Sequence, residues 1–362
     1  MFQLLVSVGF LLAPSTQPAG PDLAGLRLNQ IQVIGSHNSY KQPIEPGLLE
    51  LAKSAGRDLT SLDYAHPSLT DQLNLGLRNL EIDIYNDPSG GLFASPLALK
   101  LLASAGKTPR PFDPEHEMLQ PGFKVLHIHD IDFRSHNLTL TGTLKELRSW
   151  SEQNPAHVPV FVLMNLKSGA AGFSGETKPI PFDAAALSAL DADIRAQLGS
   201  QRLLTPDDIR GDDDSLRHAV VTRGWPSLDA ARGRFIFILD EGDPVRGLYL
   251  RDNPTLAGRV LFPTVNIDHP AAAILVINDP LGKATEIRAA VDAGFIVRTR
   301  ADAGTTEMRT GDLGRFAAAA ASGAQVISTD YYLPDWRINP DFVVRFAGAP
   351  FSRRNPVTAP NP

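Results

Sequence analysis

"ATEIRAAVDAGFIVRTRAD", residues 284–302, holds a whole structural unit in one line. Its first part has a helical pattern and stops at Gly294, as helix C-termini do when they need a left-handed residue. Phe295–Arg300 then reads as a strand, and the strand runs out into charged and polar groups. "RTGDLGRFAAAAASG" ends the same way at Gly323, just before a strand at Gln325–Thr329.

Working outward, the same alternation recurs along the chain. Strands are predicted at Ile31–Gly35, Asn79–Tyr85, Phe123–His129, Pro159–Leu166, Arg234–Leu239 and Ile274–Asn278, besides the two above. Helical stretches such as "LTGTLKELRSWSEQN" and "PFDAAALSALDADIRAQLG" lie between them. The crossover after Arg234–Leu239 is irregular, and "GRVLFPTVN" reads as an extra strand. Eight strands with mostly helical crossovers over roughly 300 residues predict a single-domain α/β fold, a (β/α)8 TIM-like barrel. The expected organisation is a signal-like segment and linker over 1–25, the barrel over 26–345 and a loose tail over 346–362.

Bulk properties narrow the function. Apolar residues make up 43% and charged residues 20%, as in a soluble globular protein. A net charge of -6 argues against broad nucleic-acid binding, which needs a basic surface. The absence of cysteine excludes disulfides, thiolate metal sites and a cysteine nucleophile. The apolar stretch Phe2–Ala13 is too short to span a bilayer, which needs about 20 such residues, and resembles the core of a secretory signal. A secreted or periplasmic protein is therefore expected, and a monomer.

Active sites of such barrels lie at the C-terminal ends of the strands. Polar groups gather at every one of those ends: His37 and Asn38 after the first strand, Glu81 and Asp83 on the second, His127 and His129 on the third. Asn165 and Lys167 end the fourth, "LDEGD" the fifth, "IND" the sixth, Arg298 and Arg300 the seventh, and "STDYY" the eighth. Glu81 and Asp83 are two apart, so on a strand they share a face. Two carboxylates aimed into one barrel mouth repel unless a cation lies between them or one is protonated. Oxygen ligation by Asn38, Glu81 and Asp83 suits calcium, or less well magnesium, rather than zinc. Alternatively one carboxylate pairs with an interior arginine, Arg298 or Arg300. His37, His127 and His129 have the pKa range for base and acid at neutral pH; as three zinc ligands they lack a spacing signature. Lys167, Arg298 and Arg300 suit a phosphate-bearing substrate, and Tyr331 offers a flat face to a polyol ring or caps the barrel.

Taken in order, "SHNSY", "LEIDIY", "FKVLHIHD" and "PVFVLMNLK" resemble the catalytic half of phosphatidylinositol-specific phospholipase C, closest to its bacterial calcium-dependent branch. "FIVRTRAD" and "AQVISTDYY" look like the last two strands of the same barrel. The resemblance implies that His37 takes the proton of the inositol 2-hydroxyl as it attacks phosphorus. A second histidine protonates the departing diacylglycerol oxygen: His127 by its position in "KVLH", with His129 as the alternative. Asn38, Glu81 and Asp83 match the family's calcium ligands. The fourth is usually a glutamate, and Asn165 stands in its place, which keeps an oxygen and removes a charge. The implied partner is a phospholipid or glycerophosphodiester, met in transient contact with a membrane surface. A glycerophosphodiesterase on the related barrel, and a degenerate barrel that only binds headgroups or glycans, are the competing readings.

Overall fold

The computed structural model describes residues 23–170, 172 and 174–360, so the signal-like stretch Phe2–Ala13 lies outside the described residues. The described strands are β1 (Ile31–Ser36), β2 (Asn79–Tyr85), β3 (Lys124–Val125), β4 (Val160–Lys167), β5 (Phe235–Leu239), β6 (Leu261–Pro263), β7 (Ile274–Val276), β8 (Ile296–Arg300), β9 (Val326–Thr329) and β10 (Ser352–Arg354). Hydrogen bonds join them as two sets, β10-β1-β9-β8-β7 and β3-β2-β4-β5-β6. β3 and β10 are antiparallel edges. Among themselves the other eight pair only in parallel, four to each set. The expected eight-stranded barrel is thus present as two parallel halves.

The halves meet where β1 lies against β2. There Arg78 N donates to Ile34 O at 3.0 Å and Ser39 N to Glu81 O at 2.9 Å. Gly35 makes the approach possible, since a Cβ at that position would lie 2.0 Å from the Asn79 carbonyl oxygen. At the other seam Val276 N donates to the Thr264 hydroxyl at 3.1 Å.

Two expectations about the barrel are corrected. The run Phe123–His129 is not a barrel strand. Only Lys124–Val125 is extended, antiparallel to β2 at Tyr85 and Ile84, and the parallel neighbour of β2 is β4. The polar groups that follow hold a turn instead. Asp132 N donates to Ile128 O at 2.9 Å, while Asp130 accepts from Leu97 N at 2.7 Å and Thr177 N at 2.6 Å. The missing eighth strand is β6, inside "GRVLFPTVN". The second correction concerns the tail. Ser352–Arg354 pairs with β1, the Arg353 guanidinium bonds Gln32 Oε1 at 2.7 Å and stacks over Phe346, and Asn355 is fully buried.

The crossover helices pack as the sequence predicts. Leu140–Gln153 is capped by the Thr139 hydroxyl and Ala184–Leu198 by the Asp183 carboxylate, each accepting an otherwise unpaired N–H of the first turn. Gly294 and Gly323 close their helices at φ 96° and 86°. Helix faces and strand interiors form one large apolar core, which fixes the polar strand ends at one mouth.

Candidate active site

His37 follows β1 directly. Its Nδ1 donates to Asp330 Oδ1 at 2.9 Å, its Nε2 lies 3.5 Å from Glu81 Oε1, and its side chain is 18% exposed. A carboxylate on Nδ1 fixes the tautomer, leaving the lone pair on Nε2. Burial alone would raise the Asp330 pKa, but His37 and Arg300 outweigh it and hold the carboxylate well below its usual range. Arg300 reaches Asp330 at 3.3 Å and Asp302 at 3.6 Å. Burial and the Asp330 charge push Asp302 the other way, upward.

His127 forms a second dyad. Its Nδ1 donates to Asp132 Oδ2 at 2.8 Å, and its side chain is 17% exposed. The same carboxylate oxygen lies 3.2 Å from the fully buried Lys41 ammonium. Lys41 Nζ also donates to the carbonyls of Leu62 and Tyr64. The Tyr64 hydroxyl in turn accepts from Asn38 Nδ2 at 2.7 Å and lies 3.4 Å from His37 Nδ1. Tyr64 thus stands between the two dyads, its carbonyl on Lys41 and its hydroxyl beside His37.

His129 does not share this environment. It is 1% exposed, its Nε2 donates to Thr177 O at 2.8 Å, and the rings of Tyr85 and Phe93 meet it edge-on. The expected shared face of His127 and His129 presumed a strand, and the backbone there is a turn.

Glu81, Asp83 and Asn165 come together across β2 and β4. Asn165 Nδ2 donates to Glu81 Oε1 at 3.0 Å and to Asp83 Oδ1 at 3.2 Å. Each carboxylate also has a cationic partner: Arg298 on Glu81 and Lys167 on Asp83, the latter at 3.0 Å. The interior arginine pairing weighed from the sequence is thus present at Glu81. Burial opposes the charge of Glu81, but His37, Arg298 and Arg300 keep its pKa lowered. Burial likewise opposes the Lys167 ammonium, and Asp83 outweighs it. Asn38 sits at φ 46° beside His37, 1% exposed, with its amide nitrogen on Tyr64.

These donors fit a hard cation in kind. All are oxygens, and a half-turn of the Asn165 amide puts its oxygen where its nitrogen now bridges the two carboxylates. They fall short in charge, because Lys167 and Arg298 already neutralise both carboxylates. Among the described residues no three His, Cys, Asp or Glu side chains are grouped to hold a metal. The set fits calcium as a weak site, and it gives no zinc site from the three histidines.

Several groups at the mouth were not singled out from sequence. Asp330 stands in the quoted "STDYY" run and Asp132 two residues beyond "FKVLHIHD"; their partners are set by the fold. Asp240 and Glu241, from "LDEGD", have pKa values raised by burial to about 6 and about 7. His66 lies under the site with its ring on Tyr332, and burial lowers its pKa to about 4. Tyr331 is 3% exposed and packs edge-on against Phe342, so its ring serves the wall of a cleft of about 590 Å³ that also touches Tyr64, His66 and Asp330.

Comparison with known proteins follows the same lines. The family model "Phosphoinositide phospholipase C, Ca2+-dependent" matches residues 26–356. A calcium-dependent phosphoinositol-specific phospholipase C from a Pseudomonas species, in its myoinositol complex, superposes with a TM-score of 0.56 at 14% identity, over 93% of this chain and 99% of that one. A calcium-dependent phosphatidylinositol-specific phospholipase C from Streptomyces antibioticus gives a TM-score of 0.52 at 17% identity, over 85% and 95% of the two chains. At such identity the likeness shows the fold. No curated protein matches in sequence.

Proposed function

Because the chain belongs to the calcium-dependent phosphoinositide phospholipase C family, a family of phosphodiesterases, we propose that it splits the headgroup phosphodiester of phosphatidylinositol with His37 as base and His127 as acid. The observation that carries this reading is the pair of histidine–carboxylate dyads, His37–Asp330 and His127–Asp132. In each, Nδ1 is held and Nε2 is left for the substrate.

His37 Nε2 takes the proton of the inositol 2-hydroxyl as its oxygen bonds to phosphorus. Asp330, held ionised, stabilises the imidazolium that results. Protonated His127 gives its Nε2 proton to the glycerol oxygen as the P–O bond breaks. Diacylglycerol leaves, and inositol 1,2-cyclic phosphate remains. Arg300 and Lys167, each partly exposed at the mouth, supply positive charge near the phosphoryl oxygens. Glu81, Asp83, Asn165 and Asn38 would hold calcium, which would supply Lewis acidity toward the hydroxyl and the phosphoryl oxygens. The reading extends to an exported enzyme in transient contact with a membrane, which fits its signal-like N-terminus.

Phosphorus NMR of products from phosphatidylinositol and from glycerophosphoinositol, with and without calcium, tests it. The expected result is a cyclic phosphate signal from phosphatidylinositol, lost on chelation. A linear phosphomonoester formed without the cyclic species would overturn intramolecular attack. Faster cleavage of glycerophosphoinositol would move the protein to the glycerophosphodiesterases. Full turnover in excess chelator would remove calcium from the reading and leave its charge to Lys167 and Arg298.

A further inference from the structure

Lys41 ends the run "SHNSYK" that begins at Ser36, and the mechanism above makes no use of it. Its side chain is fully buried, which a lysine tolerates only when the ammonium is paired and hydrogen-bonded. Each of its three N–H groups has a partner: Leu62 O at 2.8 Å, Tyr64 O at 2.7 Å and Asp132 Oδ2 at 3.2 Å. No donor is left for a substrate. Lys41 can act on the chemistry only through what it holds.

What it holds is the carboxylate of the acid. Asp132 is also fully buried, and among the described residues its only ionic partners are Lys41 and His127. Both lie on the same oxygen, Oδ2, with His127 Nδ1 at 2.8 Å, while Oδ1 has no hydrogen-bond partner among the described residues. The neighbouring acids are met elsewhere, Asp130 by Leu97 N and Thr177 N, and Asp330 by Arg300 and His37. Each histidine thus has a cation behind its carboxylate. Arg300, behind Asp330, is partly exposed at the mouth; Lys41, behind Asp132, is sealed off.

Formal charge decides what such a cation does. With His127 protonated, Lys41, Asp132 and His127 together carry one positive charge. Once the proton has gone to the glycerol oxygen they carry none. Without Lys41 the same step leaves a lone carboxylate in the interior, and an uncompensated buried charge is strongly unfavourable.

We propose that Lys41 is a positioning residue for the acid: it balances Asp132, so that the carboxylate orients the His127 ring without retaining its proton. The inference rests on the phosphodiesterase reading above, in which that proton leaves His127 Nε2 as the P–O bond breaks.

Lys41→Met, Asp132→Asn and the double variant form a cycle that tests it. In Lys41→Met, kcat on phosphatidylinositol should fall about tenfold or more, part of the about 10²–10⁴-fold that a general acid supplies, with KM held. The p-nitrophenyl phosphodiester of inositol, whose leaving group needs no proton, should lose far less. Asp132→Asn alone sets the ammonium against the imidazolium and should also be slow. The double variant restores the original charge sum and should turn over phosphatidylinositol faster than either single variant. Wild-type kcat in Lys41→Met, or an equal loss on both substrates, would overturn the proposal. A double variant that is no faster than Asp132→Asn, or that does not fold, would make Lys41 a brace for the Leu62 and Tyr64 carbonyls and overturn it too. The His127 Nδ1 proton, assigned by its absence from His127→Ala, gives a readout without catalysis. In Lys41→Met the whole charge of Asp132 falls on it, so its NMR resonance should move downfield; an unmoved resonance refutes the coupling. Wild-type protein that cleaves neither substrate while Lys41→Met shows the shift would refute the phosphodiesterase reading and leave the hold of Lys41 on the dyad standing.

Discussion

Asp330 is where the catalytic reading is most open to test. His37→Ala should remove most turnover, about 10²–10⁴-fold for a lost proton shuttle. Asp330→Asn keeps the shape of the partner but not its charge, so kcat should drop with the fold intact by circular dichroism; wild-type kcat would remove the dyad from the mechanism. His127→Ala should disable natural lipid more than a p-nitrophenyl phosphodiester, whose leaving group needs no proton. His129→Ala should show no such selectivity, because its Nε2 is committed to Thr177; the reverse pattern in paired assays would exchange their roles. Asn165→Glu restores a third carboxylate and should tighten calcium by titration calorimetry, from about 10⁻⁴–10⁻³ M. No change in affinity would place calcium elsewhere. The candidate residues were legible because each closes an apolar run. Their partners were not, since Asp330 lies 293 positions from His37 and only the closed fold joins them.

Strands and seams show a different limit. β1, β2, β4, β5, β7, β8 and β9 could be read from apolar runs that end in polar groups. β3 misled, because "FKVLHIHD" has the composition of a strand while its side chains bond locally into a turn. β6 was noticed as an extra strand and proved to be a barrel member, too short at Leu261–Pro263 to carry a pattern. The tail gave no signal because β10 draws its order from pairing with β1, at the opposite end of the sequence. At the β1–β2 seam the prediction is sharp. Gly35→Ala sets a methyl against the Asn79 carbonyl, and overpacking of this kind costs about 1–3 kcal/mol. A urea midpoint unchanged from wild type would show that the two halves are not tightly joined there.

For the molecule as a whole, stability should depend on acid through buried histidines. His157, packed against Trp150 and Phe235, has its pKa lowered by burial to about 4 from the ordinary 6.5. Between those values the unfolded chain holds the proton that the folded chain refuses. Stability is therefore complete above about 6.5 and falls as the pH drops toward 4. His157→Gln should flatten that limb in urea midpoints taken across the window, with His66 accounting for part of the slope that persists. An unchanged slope would mean that His157 is charged in the folded state. The division of the barrel has a consequence in time. β1 is among the first segments to be made, yet it belongs to the half completed by β9, and His37 waits for Asp330. At a synthesis rate of about 5–20 residues per second the interval between those two residues is on the order of 15–60 s. A chain interrupted between positions 37 and 330 carries His37 without Asp330, so the dyad proposed for catalysis exists only once β9 has been made.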